Sequence, residues 1–409
     1  MLTISQSEWL RGEVCVSWSK NAALPLIAAN YAVGNTIQLE NLPAILDVQR
    51  LLEVGELAET QSRDFYDLTD PLVSKMRASI LLIPHGLLKY GKVHCIGSGG
   101  CKLWKRSLDT FDSAFEQAGV SVSDEGDIKI YEVTGVPQRD IVLNEFSVTT
   151  AEAIITYLAF HPVLDEVTVR QIAIEPHVLS LIEFLQNAGA DITVHFDHAV
   201  TIRKAHKAIK KDTFRVIGDY LEVGLFACIG ALAKNSDITI TGCNLDNLVA
   251  PLHVLRQIGV DMQVLDHQTV RITSINVNEY EAIKKLESRI YPGFPTDIQP
   301  QFTVLLTQCR GVSKIFETLF EGRFAYLSEL QNLGASIEIL NPHQALILGA
   351  TPLKGGYVAS TDIRGWGAMM VAGIIAEGKT IITNEEMIRR GYENIVEKLQ
   401  SLGVAISVS

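Results

Sequence analysis

The sequence has little that would place the protein outside the cell or in a membrane. Its six cysteines are scattered with no spacing that suits a metal site, so they read as reduced thiols. Its longest apolar runs, such as VGLFACIGALA, are too short to cross a bilayer. The start, MLTISQSEWLRGEV, lacks the basic residues and apolar core of a signal peptide. A cytoplasmic location is therefore expected. Positive charge is also scarce: the formal net charge is −12, which disfavours a broad nucleic-acid surface. A small basic pocket for an anionic ligand stays compatible with that balance. Nothing calls for a membrane or an obligate protein partner.

What the chain does have is repetition. FEQAGVSV around Gly119, FLQNAGADI around Gly189, LRQIGVDM around Gly259, LQNLGASI around Gly334 and LQSLGVAI around Gly403 lie about 70 residues apart. A weaker copy, LLEVGEL around Gly55, opens the series. In each, apolar residues at helical spacing run to a glycine, which tolerates the left-handed backbone that closes a helix. An alternating stretch such as ADITVHF or ASIEILN follows and reads as a half-buried strand. Six α/β units in 409 residues divide most simply into two groups of three. The expected domains are residues 20–217 and residues 218–409 joined by the N-terminal strand of residues 1–19. The segment between Gly55 and Lys75 is short, so the first repeat is trimmed.

Several segments carry candidate chemistry. SWSKNAALP puts Lys20 and Asn21 at a helix start, where free N–H groups and the helix dipole suit a phosphate. Alone, Lys20 also reads as an ordinary surface lysine. GSGGCKLWKR is a glycine-rich loop in which Lys102, Lys105 and Arg106 would favour the thiolate of Cys101. A hairpin turn with a stray cysteine is the plainer reading. YPGFPTDIQPQF holds Asp297 amid prolines, as a base or as a turn cap. FEGRFAYLSEL, STDIRGWGA and IRRGYENI supply Arg323, Arg364 and Arg390. Gathered together, these cations would hold a doubly anionic ligand through bidentate guanidinium contacts.

Taken together, these segments resemble the enolpyruvyl transferases. SKNAALP, ENLPAILDV, KMRAS, GGCKLWKRSLD, FPTDIQPQF, FEGRF, STDIRG and RGYENIVEKL stand in that family's order and roughly its spacing, nearly end to end. The lysine–asparagine pair before AALP is similar to the branch acting on UDP-N-acetylglucosamine in the first committed step of peptidoglycan synthesis. The shikimate branch has lysine–serine there. The resemblance implies two inside-out α/β barrel domains, each of three βαβαββ-type repeats with helices inside and sheets outside. It also implies a site between the domains, phosphoenolpyruvate and UDP-N-acetylglucosamine as substrates, and no metal or redox cofactor.

The same resemblance implies roles. Cys101 matches the proton donor that fosfomycin alkylates, and Asp297 the carboxylate that takes the 3′-hydroxyl proton. Lys20, Arg106 and Arg390 match cations around phosphoenolpyruvate. Arg323 and Arg364 match arginines of the same pocket, Asn21 a hydrogen-bond donor to the intermediate, and Asp362 a second carboxylate for late proton transfer. Arg77, Ser107, Leu108, Asp109, Ser147, Val148 and Leu319 match positions lining the sugar-nucleotide site.

The chain departs from the family's pattern mainly in the nucleotide half. Ser107 replaces a usual proline, Phe111 a histidine, Glu145 a basic residue and Thr149 a glycine. Arg389 stands where an aspartate is common and Trp18 where glycine is usual. A glutamate at 145 would repel a diphosphate. The alternatives to the peptidoglycan reaction are therefore a paralogue using another hydroxyl acceptor and an inactive ligand-binding homologue. Retention of Cys101, Asp297 and Lys20 argues against the latter.

Overall fold

In the computed structural model, which describes residues 1–96, 108–162, 165–204, 208–275, 277, 279–359, 362–384 and 386–408, the recurring glycines stop helices by one geometry. Gly119, Gly189, Gly259, Gly334 and Gly403 all have φ between +80° and +102°. The helices Asp109–Gln117, Pro176–Asn187, Val249–Ile258, Ala325–Asn332 and Ile395–Ser401 end just before them. At the last four, the glycine N–H donates to the carbonyl three residues back, and the next N–H reaches five residues back, as in Ala190 to Leu185 at 2.9 Å. These bonds satisfy carbonyls that a helix end leaves open. Three copies add a side-chain clamp. The amides of Gln186, Gln331 and Gln400 donate to the carbonyls of Ile192, Ile337 and Ile406 at 2.8, 2.9 and 3.0 Å. Each glutamine lies three residues before its glycine and binds three residues after it.

Gly55 breaks the pattern. It lies inside the helix Leu46–Gln61, buried against Tyr31, and the helix runs on past it. A Cβ there would sit 2.5 Å from the Tyr31 ring, so close packing and not helix termination requires this glycine. No hairpin follows, and the chain goes directly to Tyr66–Leu68, a strand of the next sheet. The sixth copy is thus not a helix end, although its repeat is trimmed.

The chain divides into two units, Trp18–Ile217 and Met1–Ser17 with Gly218–Ser409. Each has its own hydrophobic core. In the larger unit three sheets share one plan: a parallel pair, then an antiparallel hairpin. Arg11–Cys15 pairs with Asp237–Thr241, which leads to Thr269–Thr273 and Asp261–Asp266. Lys285–Glu287 pairs with Cys309–Phe316, followed by Gln344–Gly349 and Ser336–Asn341. In the third, Tyr357–Ala359 pairs with Lys379–Thr383, and the hairpin positions are filled by the two chain ends, Leu2–Ser5 and Ile406–Val408.

The smaller unit repeats the plan twice, around Lys92–Ile96 and Glu166–Arg170. Its third sheet is only the parallel pair Gln38–Glu40 and Thr213–Arg215. The sheets are separate and not hydrogen-bonded into a closed ring.

Three helices lie at the centre of each unit and pack on one another: Lys20–Ala32, Ile83–Tyr90 and Val148–Ala159 in the smaller, Tyr220–Leu232, Gln299–Thr307 and Ile363–Ile375 in the larger. They are apolar nearly all round; Ile363–Ile375 is buried from Gly365 through Ile374. Such helices are stable only inside a core, where each buried leucine or isoleucine contributes about 1.5–3 kcal/mol. Among the described residues no helix is long and apolar enough to cross a membrane.

Candidate functional site

In each unit several candidate residues lie at the N-terminal ends of the central helices. In the larger unit, Asp297 lies in the short 3₁₀ turn Thr296–Ile298 that feeds Gln299–Thr307. Asp362 caps Ile363–Ile375: its Oδ1 accepts the N–H groups of Arg364 and Gly365, both at 2.8 Å. The cap holds Arg364 at the helix start.

Arg323 and Arg364 converge on the Asp297 carboxylate. Arg323 Nη1 donates to Oδ1 at 2.8 Å, and Arg364 Nε donates to the same oxygen. Burial would raise the Asp297 carboxyl, but the charges of Arg364 and Arg323 hold it well below the usual carboxylate range. Burial and the neighbouring Arg364 push Arg323 down to about 10, against the pull of Asp297. Burial opposes the charge on Arg364 as well, but Asp297 carries it above its ordinary value. All three are ionised at neutral pH, and the carboxylates of Glu317 and Asp362 also act on Arg323 and Arg364. The Arg323 side chain is only 6% exposed and stacks over Phe320 at 4.2 Å from the ring centroid. Its buried Nε has no hydrogen-bond partner among the described residues. An unmatched buried guanidinium donor suits an anion.

Glu317, which the sequence did not single out, organises this corner. Fully buried, it accepts the N–H groups of Leu319 at 2.9 Å and Phe320 at 3.1 Å through Oε1. Its Oε2 accepts the Thr296 hydroxyl at 2.7 Å. One carboxylate thus ties the loop carrying Leu319 to the turn carrying Asp297. Arg390 lies on the separate short helix Glu386–Gly391 of the same unit, with Nη1 4.0 Å from Met387 Sδ.

The smaller unit presents a second group. Ser19 caps Lys20–Ala32 by accepting the Ala22 N–H at 3.3 Å, which sets Lys20 and Asn21 in the first turn. Lys20 Nζ lies 3.5 Å from the buried Asp47 carboxylate. Ser147 caps Val148–Ala159, accepting from Thr150 N at 3.3 Å and Thr150 Oγ1 at 2.9 Å. Arg77 starts the 3₁₀ helix Arg77–Leu82. Burial lowers its pKa, and the carboxylate of exposed Glu145 opposes that shift. Asp109 opens its helix with Leu108 just before it. Phe111 is buried, 4.7 Å from Phe115 between ring centroids, so it serves the core.

Cys101, Arg106 and Ser107 lie outside the described residues. Of the other cysteines, burial pushes the thiols of Cys95 and Cys309 up to about 12 and raises those of Cys228 and Cys243 as well. Cys15 is exposed. Among the described residues no three His, Cys, Asp or Glu side chains gather as a metal ion would need.

The chain as a whole is similar to known proteins. The family described as EPSP synthase (3-phosphoshikimate 1-carboxyvinyltransferase) matches residues 4–399. A UDP-N-acetylglucosamine 1-carboxyvinyltransferase of Pseudothermotoga lettingae is 34% identical over 97% of this chain and 96% of its own. One of Campylobacter lari is 35% identical over 99% and 98%. Among solved structures, the enolpyruvyl transferase NikO from Streptomyces tendae superposes with a TM-score of 0.86 at 20% identity, covering 99% of this chain and 98% of that one. An EPSP synthase from Acinetobacter baumannii does so at 0.75 and 13% identity, covering 100% and 99%. At those identities the two structures speak for the fold.

Proposed function

Because the chain belongs to the EPSP synthase family of carboxyvinyl transferases, we propose that it moves the enolpyruvyl group of phosphoenolpyruvate onto the 3′-hydroxyl of UDP-N-acetylglucosamine and releases phosphate. This is the first committed step of peptidoglycan synthesis. Its near full-length relatives carry that activity in their names. The observation that carries the site reading is the Asp297 carboxylate held by Arg323 and Arg364, with one buried guanidinium donor unmatched.

The chemistry is addition followed by elimination. The 3′-oxygen bonds to the central carbon of phosphoenolpyruvate, its proton goes to a base, and the methylene carbon gains a proton. The tetrahedral adduct then loses that methyl proton and inorganic phosphate, which restores the double bond. The atoms balance without a redox step.

Asp297 is the base. Paired with two guanidiniums it is a weak proton acceptor, and an arriving carboxylate or phosphate that competes for Arg323 and Arg364 raises its basicity. Asp297 thereby becomes effective when substrate is bound. Cys101 delivers the proton to the methylene carbon. Lys20, Arg106 and Arg390 bind the phosphate and stabilise charge as it develops. Asn21 donates to the adduct, and Asp362 assists the late proton transfer while holding the start of its helix. Arg77, Ser107, Leu108, Asp109, Ser147, Val148 and Leu319 receive the sugar nucleotide. The substrates are small cytoplasmic metabolites, and the reaction calls for no protein partner.

One observation favours a second reading. The negative charge of Glu145 acts on Arg77, so a diphosphate bound at that cation would meet a carboxylate as well. A paralogue that transfers enolpyruvyl to another nucleotide fits that feature. Phosphate release from phosphoenolpyruvate, measured with UDP-N-acetylglucosamine and then with other nucleotides, separates the two. Turnover confined to UDP-N-acetylglucosamine supports the first; turnover only with another nucleotide supports the second.

A further inference from the structure

A closed set of hydrogen bonds lies away from Asp297, in the same unit. Glu222, on the central helix Tyr220–Leu232, is 1% exposed in its side chain. Its Oε2 accepts the Ser17 N–H at 2.8 Å and Lys398 Nζ at 2.8 Å. Lys398 Nζ also donates to Ser17 Oγ at 2.6 Å. The Ser17 hydroxyl in turn donates its own proton to the Glu393 carbonyl at 3.3 Å. The Ser17 carbonyl accepts from Asp219 N at 2.8 Å, next to the start of the same central helix. A buried carboxylate, a mostly buried ammonium and one hydroxyl thus meet at a single backbone segment.

That segment carries Arg390. Residues 392–394 join the helix Glu386–Gly391, which holds Arg390, to Ile395–Ser401, whose first turn ends at Lys398. Tyr392 is packed as well: it is mostly buried, and its hydroxyl and the Gln301 side chain both lie over Gly367. Gly367 lets both approach, since a Cβ there would lie 2.3 Å from Gln301 Nε2 and 2.6 Å from Tyr392 Oη. Tyr392 and Glu393, two and three residues after Arg390, are thus each packed against or bonded to the rest of the unit. An ion pair serving stability alone has no need of Ser17 Oγ or of the link to the Glu393 carbonyl. Buried ion pairs often contribute little net stability, which points to placement of the backbone as their role here.

We infer that Glu222, Lys398 and Ser17 are positioning residues for Arg390, acting through Glu393, and that they set the affinity for phosphoenolpyruvate. The inference rests on the reading that Arg390 binds that substrate. Its tests are arranged so that the two can fail separately.

Ser17→Ala cuts the hydroxyl link and leaves the Glu222–Lys398 pair in place. The expected result is a rise of about fivefold in KM for phosphoenolpyruvate, the worth of one hydrogen bond, with KM for UDP-N-acetylglucosamine unchanged. Ser17→Thr, which keeps the hydroxyl, should restore the wild-type value. Amide hydrogen exchange at residues 391–394 should quicken in Ser17→Ala and return to normal in Ser17→Thr. Glu222→Gln combined with Lys398→Met removes both charges together and should behave as Ser17→Ala does. An unchanged KM for phosphoenolpyruvate, or an equal change for both substrates, overturns the inference. If the wild type does not turn over phosphoenolpyruvate at all, the proposed function has failed. Exchange then decides alone: unchanged protection at 391–394 in Ser17→Ala overturns the positioning role, and faster exchange upholds it.

Discussion

Arg323 donates to Asp297 across 2.8 Å, although the two are 26 positions apart and come from different elements of one repeat. Arg364, 67 positions from Asp297 and in the next repeat, reaches the same oxygen. The local field around Asp297 is therefore made by tertiary structure, and its consequences can be measured.

Replacing Asp297 by Asn should leave the fold intact and lower turnover by about 10²–10⁴-fold, the usual contribution of a positioned base. It also leaves two guanidiniums without their countercharge, at a cost of about 1–3 kcal/mol. Inorganic phosphate, by taking those guanidiniums, should raise the melting temperature of the variant more than that of the wild type. Steady-state kinetics and thermal melts with and without phosphate check both halves. Near wild-type turnover would remove Asp297 from the mechanism.

The pH dependence has a definite sign. Asp297 is held below its ordinary value, so its ion pair stabilises the fold fully above the unfolded carboxyl range of about 3.9. The stabilisation is lost as pH falls through the lower folded value. The stability difference between wild type and Asp297→Asn should thus stay flat from about pH 5 to pH 8 and shrink only in stronger acid. Urea denaturation across that range tests this; a difference that changes steadily between pH 5 and pH 8 would contradict it.

Fosfomycin should alkylate Cys101 and spare Cys95, Cys228, Cys243 and Cys309, whose buried thiols resist ionisation. Labelling should speed up when UDP-N-acetylglucosamine is present. Cys15 is exposed and serves as an internal control: iodoacetamide should modify it, and fosfomycin should not. Peptide mapping by mass spectrometry gives the answer.

Glu317→Gln removes a charged acceptor that serves two backbone N–H groups and one hydroxyl. Denaturation should show a loss of about 1–3 kcal/mol. Because Leu319 is displaced with its loop, KM for the sugar nucleotide should rise. Stability lost with no change in that KM would separate Glu317 from the site.

The helix-ending glycines were legible because their cause is local: a left-handed residue after an apolar helix and before an alternating strand. Gly55 misled because LLEVG has the helix half of that signature without the strand half, and contact with Tyr31 demands glycine there for another reason. The glutamine clamps at Gln186, Gln331 and Gln400 were visible as LQN and LQS but gained meaning only with the bond to a carbonyl six residues on. Among the candidate site residues, Asp297, Arg323 and Arg364 could be nominated from their segments, whereas their sharing of one carboxylate oxygen could not. Glu317, Glu222 and Lys398 escaped notice because nothing next to a lone charged residue in the chain marks the distant partners it meets in the fold.

The most direct test of the account is the reaction of purified protein with phosphoenolpyruvate and UDP-N-acetylglucosamine, followed by phosphate release and by the mass of the nucleotide product. The account predicts stoichiometric phosphate and a nucleotide heavier by one enolpyruvyl group, with both lost in Asp297→Asn. Phosphate release that ignores the nucleotide, or no adduct on UDP-N-acetylglucosamine at any substrate concentration, would contradict it.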